Sequence, residues 1–237
     1  MCFRRERSET NSVKKKDMNY RDFLQKVIYV VINPVIRAMI RVGITPNVVT
    51  LVGFVGNLLA TAFLVKGGIG LQQGDTACGM AWIGWGGLTI LLAGLFDMMD
   101  GRLARLGNMS STFGALWDST LDRYSEMVSL FGVSVVFLSS GWFWTGIVTY
   151  AAILGSVMVS YVRARAEGLG IECKVGLLQR PERVVITAVV AIVSGCTANL
   201  WWMAAGMWVI AVLANLTACW RVAHCRRELD KRDGHRS

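Results

Sequence analysis

Long apolar runs leave this chain few ways to fold. Stretches near Asn47 to Lys66, Met80 to Phe96, Phe113 to Leu138, Trp142 to Tyr161, Val184 to Ala198 and Trp201 to Trp220 each approach the roughly 20 residues a helix needs to cross a bilayer. No water is present in hydrocarbon to satisfy an open backbone, so such runs fold as helices. The sequence therefore predicts an all-α polytopic membrane protein with six transmembrane helices. Composition agrees, because 54% of the 237 residues are hydrophobic, more than an ordinary soluble domain carries.

The run before the first span, Phe23 to Gly43, is apolar on one side but contains Lys26, Arg37, Arg41 and a central Pro34. That pattern predicts an N-terminal interfacial amphipathic helix over 20–43, its cations among lipid headgroups. Residues 1–19 are basic and lack the apolar core of a signal peptide, so they read as a cytosolic tail. The expected organisation is one membrane domain over 20–224, with the spans inside 46–222, and a second basic tail over 225–237.

Charge sets the orientation. With both termini inside, only Lys66 of the 25 lysines and arginines falls at the outer face, as the positive-inside rule requires. The predicted location is the cytoplasmic membrane, multi-pass, with both termini and the inner helix ends facing the cytoplasm. The net charge of +9 then faces cytoplasm and anionic lipid. No soluble domain is present to offer it to nucleic acid, which excludes a nucleic-acid-binding function. Six cysteines show no paired motif and the two histidines, His224 and His235, lie in the C-terminal tail. Carboxylates must therefore carry any acid and base chemistry within the spans. Most connections are short; the exceptions expected are an outer loop near Gly67 to Gly79 and an inner segment from Glu167 to Glu182.

Four such carboxylates stand at the inner ends of the second and third spans. Asp97 and Asp100 are three apart and Asp118 and Asp122 four apart, so each pair lies on one helix face. A short inner turn makes the two helices antiparallel, and the acidic faces can meet in a cavity open to the cytoplasm. Charge at membrane depth is expensive and is usually retained for function. Like charges so close repel unless cations sit between them. Oxygen ligands without His or Cys select Mg²⁺, Mn²⁺ or Ca²⁺ over zinc, and four carboxylates suffice for two ions. That arrangement suits phosphoryl transfer. Other readings of the same residues are helix-end ion pairs with Arg102, Arg105 and Arg123, a permeation site of a divalent-cation transport protein, or a structural membrane protein.

Asp97, Asp100, Gly101, Ala104, Arg105, Gly114, Asp118 and Asp122 spell D(x)2DG(x)2AR(x)8G(x)3D(x)3D, which resembles the signature of the CDP-alcohol phosphotransferases. The resemblance implies a six-helix membrane enzyme, usually homodimeric, that splits a cytidine diphosphate lipid. An alcohol attacks the β-phosphorus and CMP leaves. It further implies Mg²⁺ or Mn²⁺, two ions, held by Asp97, Asp100 and Asp118, with Asp122 as a fourth ligand or as the base that takes the acceptor proton. Asp100, Gly101, Ala104, Arg105 and Gly114 would cradle the nucleotide. Thr45 to Asn47, "TPN", also resembles the start of the first span in this family, and Pro46 suits a first helical turn in any case.

The acceptor is argued from "SYVRARAEGLGIECKVGLLQRPERVV", Ser160 to Val185. Its cations flank an inner connection, where the positive-inside rule places charge anyway, yet a forked guanidinium also suits a phosphate. The wording resembles the subgroup that makes phosphatidylinositol phosphate, or its archaeal-lipid counterpart, from inositol 1-phosphate, with Gln179 where an acid is more usual. The resemblance makes Ser160, Arg163, Arg165 and Arg183 the acceptor-phosphate candidates. The expected partners are CDP-diacylglycerol, inositol 1-phosphate and membrane lipid. Glycerol 3-phosphate and free inositol are the alternative acceptors.

Overall fold

The computed structural model describes residues 32–234, and its regular elements are all helices. In chain order they are α1 over 32–42, α2 (Pro46–Gln72), α3 (Thr76–Leu106), α4 (Thr112–Ser139), α5 (Phe143–Gly168), α6 (Arg180–Thr197) and α7 (Trp201–Gly234). Four of them, α2, α3, α5 and α7, are long and apolar enough to cross a membrane, so the chain is an integral membrane protein. The other two long helices carry charge at one end: Asp118, Asp122, Arg123 and Glu126 on α4, and Arg180, Glu182 and Arg183 on α6. Of the interfacial helix expected over 20–43, residues 20–31 lie outside the described residues, as do the tail 1–19 and residues 235–237. The described part of the C-terminal basic segment continues α7 as helix to Gly234.

The outer connection expected over Gly67 to Gly79 is mostly helix. Only Gln73, Gly74 and Asp75 separate α2 from α3. Gly74 has φ +86°, a left-handed conformation that glycine adopts at little cost, and the Asp75 carboxylate accepts from the Cys78 amide at 3.0 Å. The other glycines of this stretch serve contact, not turning. A Cβ on Gly67 would lie 2.8 Å from the Gly79 carbonyl oxygen, and one on Gly79 2.9 Å from that of Gly67. Lipid tails are as apolar as leucine, so helices in a bilayer associate through such close approaches. Gly195 of α6 meets Gly84 of α3 in the same way, with a Cβ only 2.5 Å from the Gly84 Cα.

Helix α3 packs between α2 and α6, α4 packs against α2 and α5, and α7 closes on α5 and α6. Their shared apolar core includes Leu64, Ile83, Ile90, Val133, Phe137 and Met207. The helix ends nearest the four aspartates are built differently, from capping and hydrogen bonding. Pro46 opens α2. Asn108 takes φ 52° in the α3–α4 turn, where Met109 N donates to Ala104 O at 2.9 Å, and Ser111 caps α4 through the Gly114 amide at 2.9 Å. A capping box of Gln179 and Glu182 starts α6.

The irregular segment 169–179, between α5 and α6, lies along α7. Thr217 accepts from Leu177 N at 3.4 Å, Arg221 Nε donates to Val175 O at 2.8 Å and Arg232 Nη1 to Leu169 O at 3.0 Å. Cys173 of this segment is buried beside Cys225, and burial pushes its thiol above the ordinary range. All five cysteines among the described residues are free.

Candidate active site

The turn 107–111 reverses the chain between α3 and α4, which both pack on α2, and the four aspartates at the ends joined by this turn gather near α2 and α6. Carboxylate oxygens of Asp97, Asp100 and Asp118 all lie within 4.8 Å of one another. Asp100 is only 3% exposed, and Thr50 of α2 donates to its Oδ2 at 2.7 Å. Three carboxylates turned toward one point, with no histidine or thiol among them, are a donor set for a hard divalent cation. Residues and chemistry fit Mg²⁺ or Mn²⁺, as the sequence predicted.

Asp122 lies outside that trio but directly beside two of its members, Asp97 and Asp118. Its Oδ2 lies 2.7 Å from Arg180 Nη1, and the same guanidinium donates to Asp97 at 2.9 and 3.4 Å. Arg180, from the first turn of α6, therefore bridges one member of the trio and the fourth aspartate. Asp122 Oδ1 and Arg180 Nε are both buried without a hydrogen-bond partner. Bare polar atoms at such positions are costly unless a ligand completes them.

Three cavities meet at these carboxylates. The first, about 180 Å³, is lined by Asn47 and Thr50 of α2, Asp100, Gly101 and Ala104 of α3, and Gly114 and Asp118 of α4. Among the residues expected to cradle the nucleotide, Asp100, Gly101, Ala104 and Gly114 thus face one space. Arg105 does not line it; it is exposed, and its Nε donates to Gly101 O at 3.0 Å. A Cβ on Gly101 would find its nearest atom, Arg105 Nη2, 3.9 Å away, so glycine is not required there by protein packing. It keeps the cavity open.

The second cavity, about 450 Å³, lies between α4, α5, α6 and α7. Its wall includes Ser119, Asp122, Arg123, Ser160, Arg163, Gln179, Arg180, Arg183 and Arg221. Of the acceptor candidates, Ser160, Arg163 and Arg183 line it and Arg165 does not; Arg165 is exposed beyond its rim. Arg163 also pairs with Glu167 at 2.9 Å on a half-exposed surface. Arg183 is only 1% exposed. Its Nε and Nη2 grip the two oxygens of Glu126 at 2.5 and 2.9 Å, and Nη1 donates to Leu178 O at 3.1 Å. Much of its donor fork is thus directed inward, a partnership absent from the sequence reading.

The third cavity, about 200 Å³, runs from Asp97 and Asp122 between α2, α3 and α6, with walls of Phe54, Ile90, Leu91, Leu95, Val184 and Val185. Its surface is mostly apolar, with Asn57, Ser129 and the Glu126–Arg183 pair as polar points.

Sequence reasoning did not single out Thr50, Glu126 or Arg221, and it placed Arg180 among the cations of an acceptor pocket without foreseeing its bridge between Asp97 and Asp122. Arg221 is 4% exposed and holds Val175 O at 2.8 Å and Val159 O at 2.6 Å, so it joins α7 to the wall of the second cavity. Only a buried charge or hydroxyl in an apolar run marked these residues beforehand.

A carboxylate centre suited to a hard cation, with a glycine-lined cavity on one side and an arginine-lined one on the other, gives this helical membrane protein the parts a metal-dependent phosphoryl transferase needs. The chain belongs to the CDP-alcohol phosphatidyltransferase family, whose model matches residues 43–223. Family membership replaces the reading as a cation transport protein. Among relatives, the chain is 34% identical over 192 residues to the phosphatidylinositol phosphate synthase of Mycobacteroides abscessus, covering 80% of this chain and 81% of that one. It is also 34% identical over 202 residues to the archaetidylinositol phosphate synthase of Methanothermobacter thermautotrophicus, covering 83% and 93%. The crystal structure of Mycobacterium tuberculosis phosphatidylinositol phosphate synthase with CDP-DAG bound superimposes with a TM-score of 0.63 at 30% identity, covering 81% of this chain and 92% of that one. The same protein in complex with manganese and citrate gives a TM-score of 0.63. The chain is a metal-dependent enzyme of phospholipid biosynthesis.

Proposed function

We propose that the chain transfers a phosphatidyl group from CDP-diacylglycerol to a hydroxyl of inositol 1-phosphate, forming phosphatidylinositol phosphate and releasing CMP. The observation that carries this reading is the second cavity, where Ser160, Arg163, Arg180, Arg183 and Arg221 surround a space that Asp122 also lines. Guanidinium forks match phosphate oxygens, so an acceptor carrying its own phosphate suits this wall better than free inositol or serine. The names of the relatives favour inositol phosphate over glycerol 3-phosphate.

In this reading Gly101, Ala104 and Gly114 admit the cytidine diphosphate close to backbone, and the apolar cavity receives the start of an acyl chain. Asp97, Asp100 and Asp118, with Asp122 as a further ligand, hold two divalent ions. When bound, these ions neutralise charge that builds on the pyrophosphate as it breaks. The acceptor phosphate is held by Arg163 and its neighbours, which points the hydroxyl toward the β-phosphorus. As the new O–P bond forms, the bond from the β-phosphorus to the bridging oxygen breaks. That oxygen leaves on CMP, and the hydroxyl proton passes to Asp122 Oδ1, the oxygen without a partner. Thr50 keeps Asp100 aimed at the centre. The same reading places six spans, α2 to α7, in the cytoplasmic membrane, with α1 at the interface, both termini and the site inside, and two copies in a homodimer.

The test is CMP release by the full-length protein in detergent with CDP-diacylglycerol and Mg²⁺, offering inositol 1-phosphate, glycerol 3-phosphate, inositol or serine. Turnover confined to inositol 1-phosphate is expected. Preference for glycerol 3-phosphate would keep the enzyme class and overturn the acceptor.

A further inference from the structure

Arg180 belongs to the arginine wall of the acceptor reading, yet it is also placed between two of the family aspartates, a bridge that neither the motif nor that reading accounts for. It approaches Asp97 at 2.9 Å and Asp122 at 2.7 Å. Arg180 and Asp122 also line both the arginine-walled and the apolar cavity. We propose that Arg180 is a positioning residue that stands in for the second divalent ion between Asp97 and Asp122, and that it is exchanged for that ion and delivered to the acceptor phosphate when the site loads. The inference rests on the two-ion reading above.

The argument is one of charge. Four carboxylates gathered at membrane depth repel one another without cations. Arg180 supplies one positive charge by geometry, from a helix fixed by its capping box. A small doubly charged cation competes for the same two carboxylates with greater charge density, and two cations on one carboxylate pair repel. Arg180 then has somewhere to go, because it already forms part of the wall of the arginine-lined cavity with Ser160 and Arg163. Its Nε, buried without a partner, is a donor available for an anionic oxygen. Exchange of this kind couples ion loading to acceptor binding, and the coupling is reciprocal.

The experiment is a Mn²⁺ titration of full-length protein in detergent, followed by calorimetry and by the electron paramagnetic resonance of free Mn²⁺, for the wild type, Arg180→Gln and Arg180→Lys. Two ions per chain are expected in the wild type. In Arg180→Gln the weaker ion should bind at least about fivefold more tightly, with the tighter ion unchanged as evidence that the centre is folded; Arg180→Lys should fall between. Addition of inositol 1-phosphate should tighten the weaker ion about fivefold or more in the wild type and less than about twofold in Arg180→Gln. An unchanged or weakened second ion in Arg180→Gln would overturn the proposal while leaving two ions in place. Equal coupling in both proteins would overturn delivery to the phosphate. A single ion in every protein would overturn both the proposal and the two-ion reading beneath it.

Discussion

The two sides of the aspartate centre are built in opposite ways. On the α3–α4 side, the lining is small and local: eight motif positions within 97–122, joined by one turn, with glycine where a nucleotide would approach. On the α5–α7 side, large charged residues from separate helices face one space, and several of them spend part of their donors on the protein. Arg183 grips Glu126, Arg180 bridges Asp97 and Asp122, and Arg221 holds two backbone carbonyls. In the proposed function the first side would read substrate through absence of side chain, and the second through charge that also supports the fold.

The largest effect belongs to the centre both sides share. Asp118→Asn removes one carboxylate of the trio and should lower CMP release on the order of a thousandfold, while the protein keeps its size-exclusion profile and helical content. Chelation of divalent ions should do the same to the wild type, reversibly on adding Mn²⁺. Substantial turnover by Asp118→Asn would remove that residue from the centre and with it the common point of the comparison.

Next comes the buried pair. Arg183→Ala leaves Glu126, 7% exposed, without its guanidinium, and breaking such a pair costs about 3–5 kcal/mol. A sharp drop in thermal stability is expected. Replacing both, as in Glu126→Leu with Arg183→Met, should restore much of it, since apolar substitutes for a buried pair are often neutral or stabilising. If the double variant is stable but needs far more acceptor, Arg183 both supports and binds. A wild-type acceptor KM would make it support alone and shrink the charged side of the comparison.

This difference also decides what the sequence made legible. Spacing within α3 and α4 is fixed by the helix, so Asp97 and Asp100, and Asp118 and Asp122, were placed on shared faces before any coordinates. Apolar runs located the cores of the long helices. The sequence reading erred at Gly67 to Gly79, where glycines that resemble a loop instead let α2 and α3 touch. It passed over Thr50, Glu126 and Arg221, and the bridge that Arg180 makes between two aspartates, because nothing local says which partner a buried polar group meets across the bundle. Thr50 and Asp100 are 50 residues apart, and Glu126 and Arg183 are 57 apart.

Gly101→Ala tests the small side. A Cβ there has no protein atom nearer than 3.9 Å, and replacing a mid-helix glycine should raise stability by about 0.5–1 kcal/mol. In the proposed function the methyl group intrudes on the nucleotide cavity, and an intrusion of about 1–3 kcal/mol corresponds to a KM for CDP-diacylglycerol raised by roughly fivefold to a hundredfold. The acceptor KM should not move. A variant both more stable and weaker for the lipid would separate glycine's use from any structural need. Gly114→Ala makes the contrasting case, because its Cβ would press to 2.9 Å from the capping Ser111 Oγ and should lower stability as well.

The smallest effect divides two neighbours on α5. Arg163 lines the charged cavity and pairs with Glu167 where both side chains are about half exposed, 46% and 55%. Exposed pairs of this kind contribute about 0–1 kcal/mol, so Arg163→Ala should leave stability nearly unchanged. Loss of one charge-assisted contact to a phosphate should raise the acceptor KM several-fold, with the KM for CDP-diacylglycerol unaffected. Arg165, two residues on, points away from that helix face and does not line the cavity, so Arg165→Ala removes the same charge from the same end of the bundle. General attraction between a basic inner face and an anionic acceptor would make the two substitutions equal. A difference between them, read as the ratio of acceptor KM values at fixed ionic strength, isolates the part of recognition that depends on where the guanidinium stands.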